Sequence, residues 1–455
     1  MEPAIDQNLK LSDLSFNILG IILEFLNYRE ICVLGATSKR LKLASEMDVI
    51  WSQSLDTGDS GKEKKRIFLS RGNITQNIFN GSYQTYLFEG HSKTITRITT
   101  KENFILSASA DGSARVWDTT KMASRVLAGH SDAVISAKFC GEKIVTASTD
   151  KTVRIWTEDQ EPKILRGHLQ GISALQKIDE DRVITGSYDK TVKIWNVNKG
   201  KCVDSYNDHS TAVYKIFTED NLFASCAHQD SKAYVRDMAR GELVQVFGAK
   251  TQPQAQRWGP PQNEIRSLYL SAPLFFTGEI NKIRIWDMRS PVQAGETQVT
   301  TPLKNMSIKE ENTNGIFKMI YSQFSNLMLV GCMGLLGLFA FDMRSYKKSF
   351  YVPSHDYPIL AFDSGERVLN NIAVTSGTTT NYRYELSVHD LSSPQEVCTK
   401  FVPGHKAVIT SICVGEDIIV SGSKNGSLRG LCFRRNRDAL RRANSGNSFR
   451  IRSAN

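Results

Sequence analysis

Three histidines, His91, His130 and His168, each follow a glycine, and each is trailed by an aspartate and then a tryptophan. The aspartates are Asp111, Asp150 and Asp189, and the tryptophans Trp117, Trp156 and Trp195. Serines and threonines lie between them. His, Asp and a hydroxyl are the side chains of acyl transfer, and His with Asp can hold a metal. The surrounding sequence argues against both. No G-x-S-x-G nucleophile elbow, no P-loop and no H-E-x-x-H occurs. The glycines Gly331, Gly334 and Gly337 form G-x-x-G-x-x-G, which is not the dinucleotide fingerprint and opens no helix. The eight cysteines are scattered without a C-x-x-C pair, as in a chain kept reduced. No catalytic residue, metal ligand or cofactor is expected.

The same set recurs in register: Gly90 to Asp118, Gly129 to Trp156 and Gly167 to Trp195. An internal period near 40 residues signals stacked units that bury their faces on one another. An early Gly-His with a late Trp-Asp resembles the WD40 repeat. The resemblance implies that His, the turn Asp, a second-strand Ser or Thr and the Trp form a structural hydrogen-bond network. The expected structural residues are thus His91, His130, His168, Asp111, Asp150, Asp189, Trp117, Trp156 and Trp195, with Trp286 from a later copy. Weaker copies follow: Asp208-His209 to Asp237, Asn263 to Asp287, Gly315 to Asp342, Ser354-His355 to Asp390 and Gly404-His405 to Phe433. The tryptophan place holds Arg236 in the fourth copy and Leu431 in the last. The turn-Asp place holds Ile280, Leu335, Arg383 and Asn425. Leu327 to Phe341 reads as two buried strands around a turn.

Each unit should give four strands of an all-β propeller. Eight blades are favoured, and seven remain possible if one weak copy is an insertion. Tyr83 to Phe88 supplies an outer strand that can pair into the last unit, with Ser448 to Arg452 as a rival for that place.

The N-terminal part has a different period. Leu14, Ile18, Ile22 and Leu26 fall at helical intervals. LSFNILGIILEFL (Leu14–Leu26), TSKRL (Thr37–Leu41) and Ile50-Trp51 together resemble an F-box, with Ser15 and Leu41 departing from its usual proline and tryptophan. The fold class expected is a small all-α F-box domain followed by the WD40 propeller. This order resembles the F-box/WD40 family of substrate receptors in Skp1–cullin–F-box ubiquitin ligases. It implies a non-catalytic subunit whose box binds a Skp1-like adaptor, and through it a cullin–RING core. Adaptor contacts would be Leu14, Ile18, Ile22, Leu26, Ile31, Leu41 and Trp51. The segments expected are a flexible 1–10, the box 11–51, a linker 52–82, the propeller 83–433 and a disordered basic tail 434–455.

In related receptors, arginines at the mouth of the propeller bind phosphorylated degrons, since guanidinium pairs bidentately with phosphate. Two positions per copy are comparable. The one following the apolar residue of the inner strand is read as Thr96, Ser136, Ser173, Tyr214, Arg266, Phe317, Leu360 and Ile409. The one before the turn is read as Ala110, Thr149, Tyr188, Gln229 and Lys424. Only Arg266 and Lys424 are basic. With Tyr188, Tyr214 and Phe317 they are the candidate substrate-binding residues, a mixed surface suited to a peptide with apolar anchors.

The formal charge of +10 lies largely in the tail arginines, among them Arg434, Arg435, Arg437, Arg441 and Arg442. With no RNA- or DNA-recognition fold elsewhere, nucleic acid is not an expected partner. The acidic, polar start does not resemble a signal peptide, and no apolar run reaches membrane-spanning length. A cytoplasmic or nuclear protein is expected, with an unknown substrate protein.

Overall fold

The structure, a computed structural model, describes residues 83–433 and 449–452 apart from 159, 229, 249–263, 272, 290–303, 309–315, 323–326, 333–336, 354–360, 365–371, 379–383, 391–397 and 416–417. The F-box stretch, the linker and most of the basic tail lie outside the described residues, and with them all seven adaptor-contact residues. So do Ser354, His355, Leu335, Leu360, Arg383 and Gln229.

Every described element is a strand, and the strands form eight sheets. The first runs Ile95–Lys101, Phe104–Ser109, Ser113–Asp118 and Ala123–Ala128. The second runs Val134–Cys140, Lys143–Ser148, Val153–Trp156 and Lys163–Leu165, and the third Ile172–Lys177, Arg182–Ser187, Val192–Asn196 and Lys201–Tyr206. The fourth holds Val213–Glu219, Leu222–Ala227, Lys232–Asp237 and Leu243–Gly248, and the fifth Ser267–Ser271, Leu274–Gly278, Lys282–Asp287 and Lys304–Ser307. The sixth holds Ile316–Ser322, Leu327–Cys332, Gly337–Asp342 and Lys347–Pro353, and the seventh Ala361–Ser364, Ile372–Thr378, Tyr384–Asp390 and Cys398–His405. In the eighth, Ile409–Val414, Ile418–Ser423 and Leu428–Cys432 are completed by Gln84–Glu89 from the start of the array. That strand pairs antiparallel with Leu428–Cys432, and Phe449–Arg452 adds to its other side in parallel. The two candidate closing strands thus both join this sheet, one beyond the other.

Within each sheet, consecutive strands pair antiparallel, and the second strand is buried on both faces. Ile105 to Ser109 and Leu327 to Cys332 are buried throughout. The core lies between sheets. Tyr86, Phe88, Val420 and Leu428 of the eighth pack with Ile95, Ile98 and Trp117 of the first. Leu106, Ala108 and Leu127 of the first pack with Val134, Ala137 and Trp156 of the second. A buried Leu, Ile or Phe contributes about 1.5–3 kcal/mol, so each interface contributes far more than any one sheet could retain alone. Phe88 and Trp117 meet edge to face with ring centres 5.4 Å apart.

Turn chemistry sets where strands stop. The Asp closing a third strand accepts the amide two residues on: Asp118 from Thr120 at 2.8 Å, Asp237 from Ala239 at 2.8 Å, Asp287 from Arg289 at 2.9 Å and Asp342 from Arg344 at 2.9 Å. This is an Asx-type turn. The hairpin before the third strand needs a left-handed residue. Gly112 and Gly426 sit there at φ 84° and 85°, while Lys151 and Lys190 adopt the same conformation at 72° and 73°.

Candidate protein-binding face

In the first three sheets the His, Asp, hydroxyl and Trp side chains form one chain of hydrogen bonds. In the second sheet Asp150 lies 2.7 Å from His130 Nδ1, Thr146 Oγ1 lies 2.7 Å from Nε2, and Trp156 Nε1 donates to Thr146 Oγ1 at 2.9 Å. The first sheet repeats this with Asp111, His91, Ser107 and Trp117, and the third with Asp189, His168, Thr185 and Trp195. The carboxylate can only accept, so it fixes the proton on Nδ1. Nε2 is then an acceptor for the hydroxyl, which accepts in turn from the indole.

Protonation follows the same geometry. Burial lowers the pKa of His130 and His168 against the opposing pull of their aspartates. Burial raises the aspartates, but hydrogen bonds outweigh it and leave Asp111 and Asp150 below the usual carboxylate range and Asp189 at about 2. A neutral imidazole beside an ionised carboxylate would suit a catalytic relay. Here the hydroxyl is fully buried behind the ring and bonded to the indole, so it faces no substrate.

Later sheets vary the set. Register puts Arg236, Trp286, Phe341, His389 and Leu431 opposite Phe223, Phe275, Met328, Ala373 and Ile419, the tryptophan place in each. Trp286 donates to Thr277 at 3.0 Å. Arg236 forms a two-pronged pair with Asp208 at 2.8 and 2.6 Å and lies over the Tyr206 ring. His389 Nε2 lies 3.0 Å from Thr375 Oγ1. His405 keeps a serine on each ring nitrogen, Ser427 at 2.9 Å and Ser421 at 2.8 Å, with Asn425 where the aspartate stood. Burial and the nearby Arg429 lower the His405 pKa to about 3.

A bulge recurs near the start of the inner strands. The register slips between Ile95 and Arg97, Val134 and Ser136, Ile172 and Ala174, Val213 and Lys215, Ile316 and Lys318, and Ile409 and Ser411. The bulged residues are therefore Thr96, Ile135, Ser173, Tyr214, Phe317 and Thr410. This corrects the sequence alignment in two copies, where Ser136 and Ile409 had been given this place. In both, a neighbouring apolar or hydroxyl residue made the one-residue slip invisible. Three hydroxyls at the bulge are committed to the adjoining sheet: Thr96 donates to the Val134 carbonyl at 2.6 Å, Ser173 to Val213 at 2.5 Å and Thr410 to Ile95 at 2.6 Å.

A second correction concerns the residue before the turn. The amides of Ala110, Thr149, Tyr188 and Lys424 bond back to the loop before their inner strand, and in the fourth sheet the His228 amide does so, to Ala212. His228, not Gln229, holds that place because the fourth turn is one residue longer. His228 Nδ1 lies 3.1 Å from Glu264, and its ring centre lies 5.3 Å from that of Tyr214. Glu264, nearly fully buried, also accepts from Arg266 Nε at 3.1 Å and Nη2 at 3.0 Å. The structure thus brings Tyr214 and Arg266 together through two residues the sequence reading missed.

Tyr188 is half exposed beside Leu169, which is 79% exposed; the two flank the His168–Asp189 pair. Phe317 is half-buried on the sixth sheet, and Lys424 is exposed on the eighth beside a shallow hollow lined by Tyr384, Lys406, Ala407, Val408 and Asn425. The five candidates lie on sheets three, four, five, six and eight, at the bulge or turn of each except Arg266, which immediately precedes the fifth sheet's inner strand. The surface they offer is mixed, with three aromatic rings, the exposed Lys424, and Arg266 already bound to a carboxylate. Among the described residues no group of three or more His, Cys, Asp or Glu is placed to hold a metal, and no helix is long and apolar enough to cross a membrane.

Comparison with known proteins agrees with this geometry. The family model "WD domain, G-beta repeat" matches residues 82–118, 122–157 and 160–196, and the F-box domain model matches residues 11–53. A search of curated proteins returns no match. Among solved structures, the crystal structure of the computationally designed Ika8 protein is similar in fold, with a TM-score of 0.62 at 20% identity over 77% of this chain and 100% of that one. The chain therefore combines an F-box domain with WD40 repeats and matches an F-box/WD40 protein.

Proposed function

We propose that this chain is the substrate-recognition subunit of a Skp1–cullin–F-box ubiquitin ligase. The observation that carries this reading is the conjunction of an F-box at 11–53 with WD40 repeats within 82–196. An F-box pairs with a Skp1-like adaptor, and a WD40 domain presents a face to a protein. The chain itself performs no chemistry in this reading; ubiquitin transfer belongs to its partners. The box occupies 11–51 and docks through Leu14, Ile18, Ile22, Leu26, Ile31, Leu41 and Trp51. The eight sheets are eight blades of a ring within 83–433, closed where Gln84–Glu89 enters the last blade. Working compartments are cytoplasm or nucleus.

The substrate face comprises Tyr188, Tyr214, Phe317, Arg266 and Lys424, extended by Leu169 and His228. The engagement of Arg266 by Glu264 favours a peptide with aromatic or aliphatic anchors over one that depends on a phosphate. A buried aromatic anchor contributes about 2 kcal/mol or more to such an interface.

The test is affinity capture with the full chain and with Ile22→Glu/Leu26→Glu. The expected result is loss of the adaptor and cullin from the variant, with partners of the WD40 face retained. Retention of adaptor by a folded variant would refute the docking mode. Absence of any cullin from the unsubstituted chain would instead favour a scaffold that assembles a complex without ubiquitination.

A further inference from the structure

The inner strands carry a feature that neither the His networks nor the mouth uses. The residue immediately after each bulge occupies one register position, opposite the fifth residue of the second strand. These residues are Arg97, Ser136, Ala174, Lys215, Lys318 and Ser411, with Ser267 and Ala361 at the same register in the fifth and seventh sheets. Five are small, and the other three are cations. Two residues deeper, the same strands place Lys138 and Asp363 at one level.

These side chains reach into a shared space. Lys215, on the fourth sheet, donates to the Phe317 carbonyl on the sixth, past the fifth. Lys318 of the sixth pairs with Asp363 of the seventh at 2.6 Å, and the other Asp363 oxygen accepts the Val414 amide of the eighth at 3.0 Å. Arg97 of the first sheet feels the charge of Asp363 on the seventh and lies within electrostatic range of Tyr214 on the fourth. Arg97 is exposed to solvent, and yet desolvation holds its pKa below the usual value. That combination describes a solvent-accessible bore walled by protein.

The charges in this bore do not balance. Asp363 is the one carboxylate at these two levels among the described residues, and it is engaged by Lys318 and Val414. Lys215 meets neutral groups, the Phe317 carbonyl and the Tyr214 ring 5.7 Å away. Desolvation, with repulsion from Arg97 and Lys318, pulls the Lys215 amine down to about 8. Converging cations in a low-dielectric space cost stability unless something neutralises them.

We propose that the bore binds a small polyvalent anion of the phosphate class, held by Arg97 and Lys215 with Lys318 and Lys138 around it. Arg97 gives a forked donor that matches two oxygens, and Lys215 a point charge. The site lies one layer below the face proposed for substrate and adjoins it through Tyr214 and Phe317, but its cations are none of that face's residues. It does not depend on whether the box docks an adaptor. Filling it would tie the first, second, fourth and sixth sheets together by charge.

The test is calorimetric titration of the full chain with inositol hexakisphosphate and with inorganic pyrophosphate at physiological salt, paired with thermal melts. One saturable site is expected for at least one probe, with a rise in melting temperature. Arg97→Gln and Lys215→Met should each weaken affinity at least tenfold, while Arg97→Lys loses less. Without anion, Arg97→Gln should melt no lower than the parent, since it removes repulsion; this guards against a folding defect. Arg434→Gln/Arg435→Gln/Arg437→Gln should bind like the parent, which separates the bore from the basic tail. The proposal fails if the parent shows no saturable binding, if both bore variants keep full affinity, or if the tail variant abolishes binding. It fails equally if a phosphoserine peptide binds in the bore and neither free anion does.

Discussion

Replacing Thr146 by valine tests whether the second sheet is held by satisfied polar groups or by packing alone. Threonine and valine have nearly the same shape, so the change removes one hydroxyl at a site with no exposed surface. That hydroxyl serves two partners, His130 Nε2 at 2.7 Å and Trp156 Nε1 at 2.9 Å. Valine would leave an acceptor and a donor buried without partners, and each such orphan costs about 1–3 kcal/mol. The expected loss is about 3 kcal/mol, read as a shift in the urea unfolding midpoint of the full chain at pH 7.5. Thr146→Ser keeps the hydroxyl and should lose only about 1 kcal/mol, the worth of a buried methyl. The double change Thr146→Val/Trp156→Phe removes one orphan, so its cost should fall short of the two single costs by about 1 kcal/mol or more. The sixth sheet already carries this pairing, with Val330 and Phe341 buried in one apolar cluster. The reasoning is refuted if Thr146→Val lies within 0.5 kcal/mol of the parent, roughly the spread of neutral surface changes, or if the two changes add.

Acid should destabilise the array. His130, His168 and His405 have folded pKa values lowered from 6.5, so between that value and about 3 for His405 the unfolded chain takes up protons the fold refuses. Their stabilisation is complete above about pH 6.5 and is lost as pH falls; a urea midpoint unchanged between pH 7 and 4.5 would contradict this. At the tight turns, Lys151→Gly should stabilise by about 0.5 kcal/mol, because relief of the left-handed conformation outweighs the entropy cost of glycine. Gly112→Ala should do the reverse, by about 1–3 kcal/mol, since its Cβ would also sit 3.0 Å from the His130 carbonyl; thermal melts of both variants check the pair. In the eighth sheet Asn425 Oδ1 accepts from the Ser427 amide and hydroxyl, as Asp150 Oδ1 does from Thr152. Asn425→Asp should therefore put a carboxylate oxygen toward His405 and raise its pKa, measurable as histidine C2 hydrogen exchange against pH; no shift would refute the equivalence.

The strand array was legible because its markers are local. Gly-His, the turn Asp and the Trp sit at fixed offsets, and the hydrophobic alternation between them survives in every copy. The strand from Gln84 was legible too, since an inner strand without a preceding outer one leaves an edge to fill. What escaped was register. A bulge adds one residue without any sequence marker, so Ile135 and Thr410 could not be told from Ser136 and Ile409. One extra turn residue hid His228 behind Gln229. The bore cations did leave a trace: Arg97, Lys215 and Lys318 each come one residue after the bulge of an inner strand. Along a single strand, though, a polar residue at alternate positions reads as the solvent face. Only the neighbouring sheets reveal that these point at one another.

The variation among the sheets is itself ordered. Where the second strand offers a hydroxyl, the tryptophan place or the His place supplies a partner: Trp286 to Thr277, His389 to Thr375, His405 to Ser421. Where the second strand offers Val330, the tryptophan place holds Phe341, and both are apolar and share one buried cluster. The fourth sheet shows the tension of a partial set. His209 still bonds Ser225 at 2.8 Å, but Asp230 stands 4.0 Å away and His209 Nδ1 is buried without a hydrogen-bond partner. There Tyr234 packs its ring against the imidazole, and Arg236 turns outward to Asp208. Selection on such a repeat acts on pairs, because a lone buried polar atom costs more than either the complete set or none. A sheet can therefore lose its motif residues without losing its place, provided they leave together. By the same argument the fourth sheet, with its stranded ring nitrogen, is the place where the array should open first.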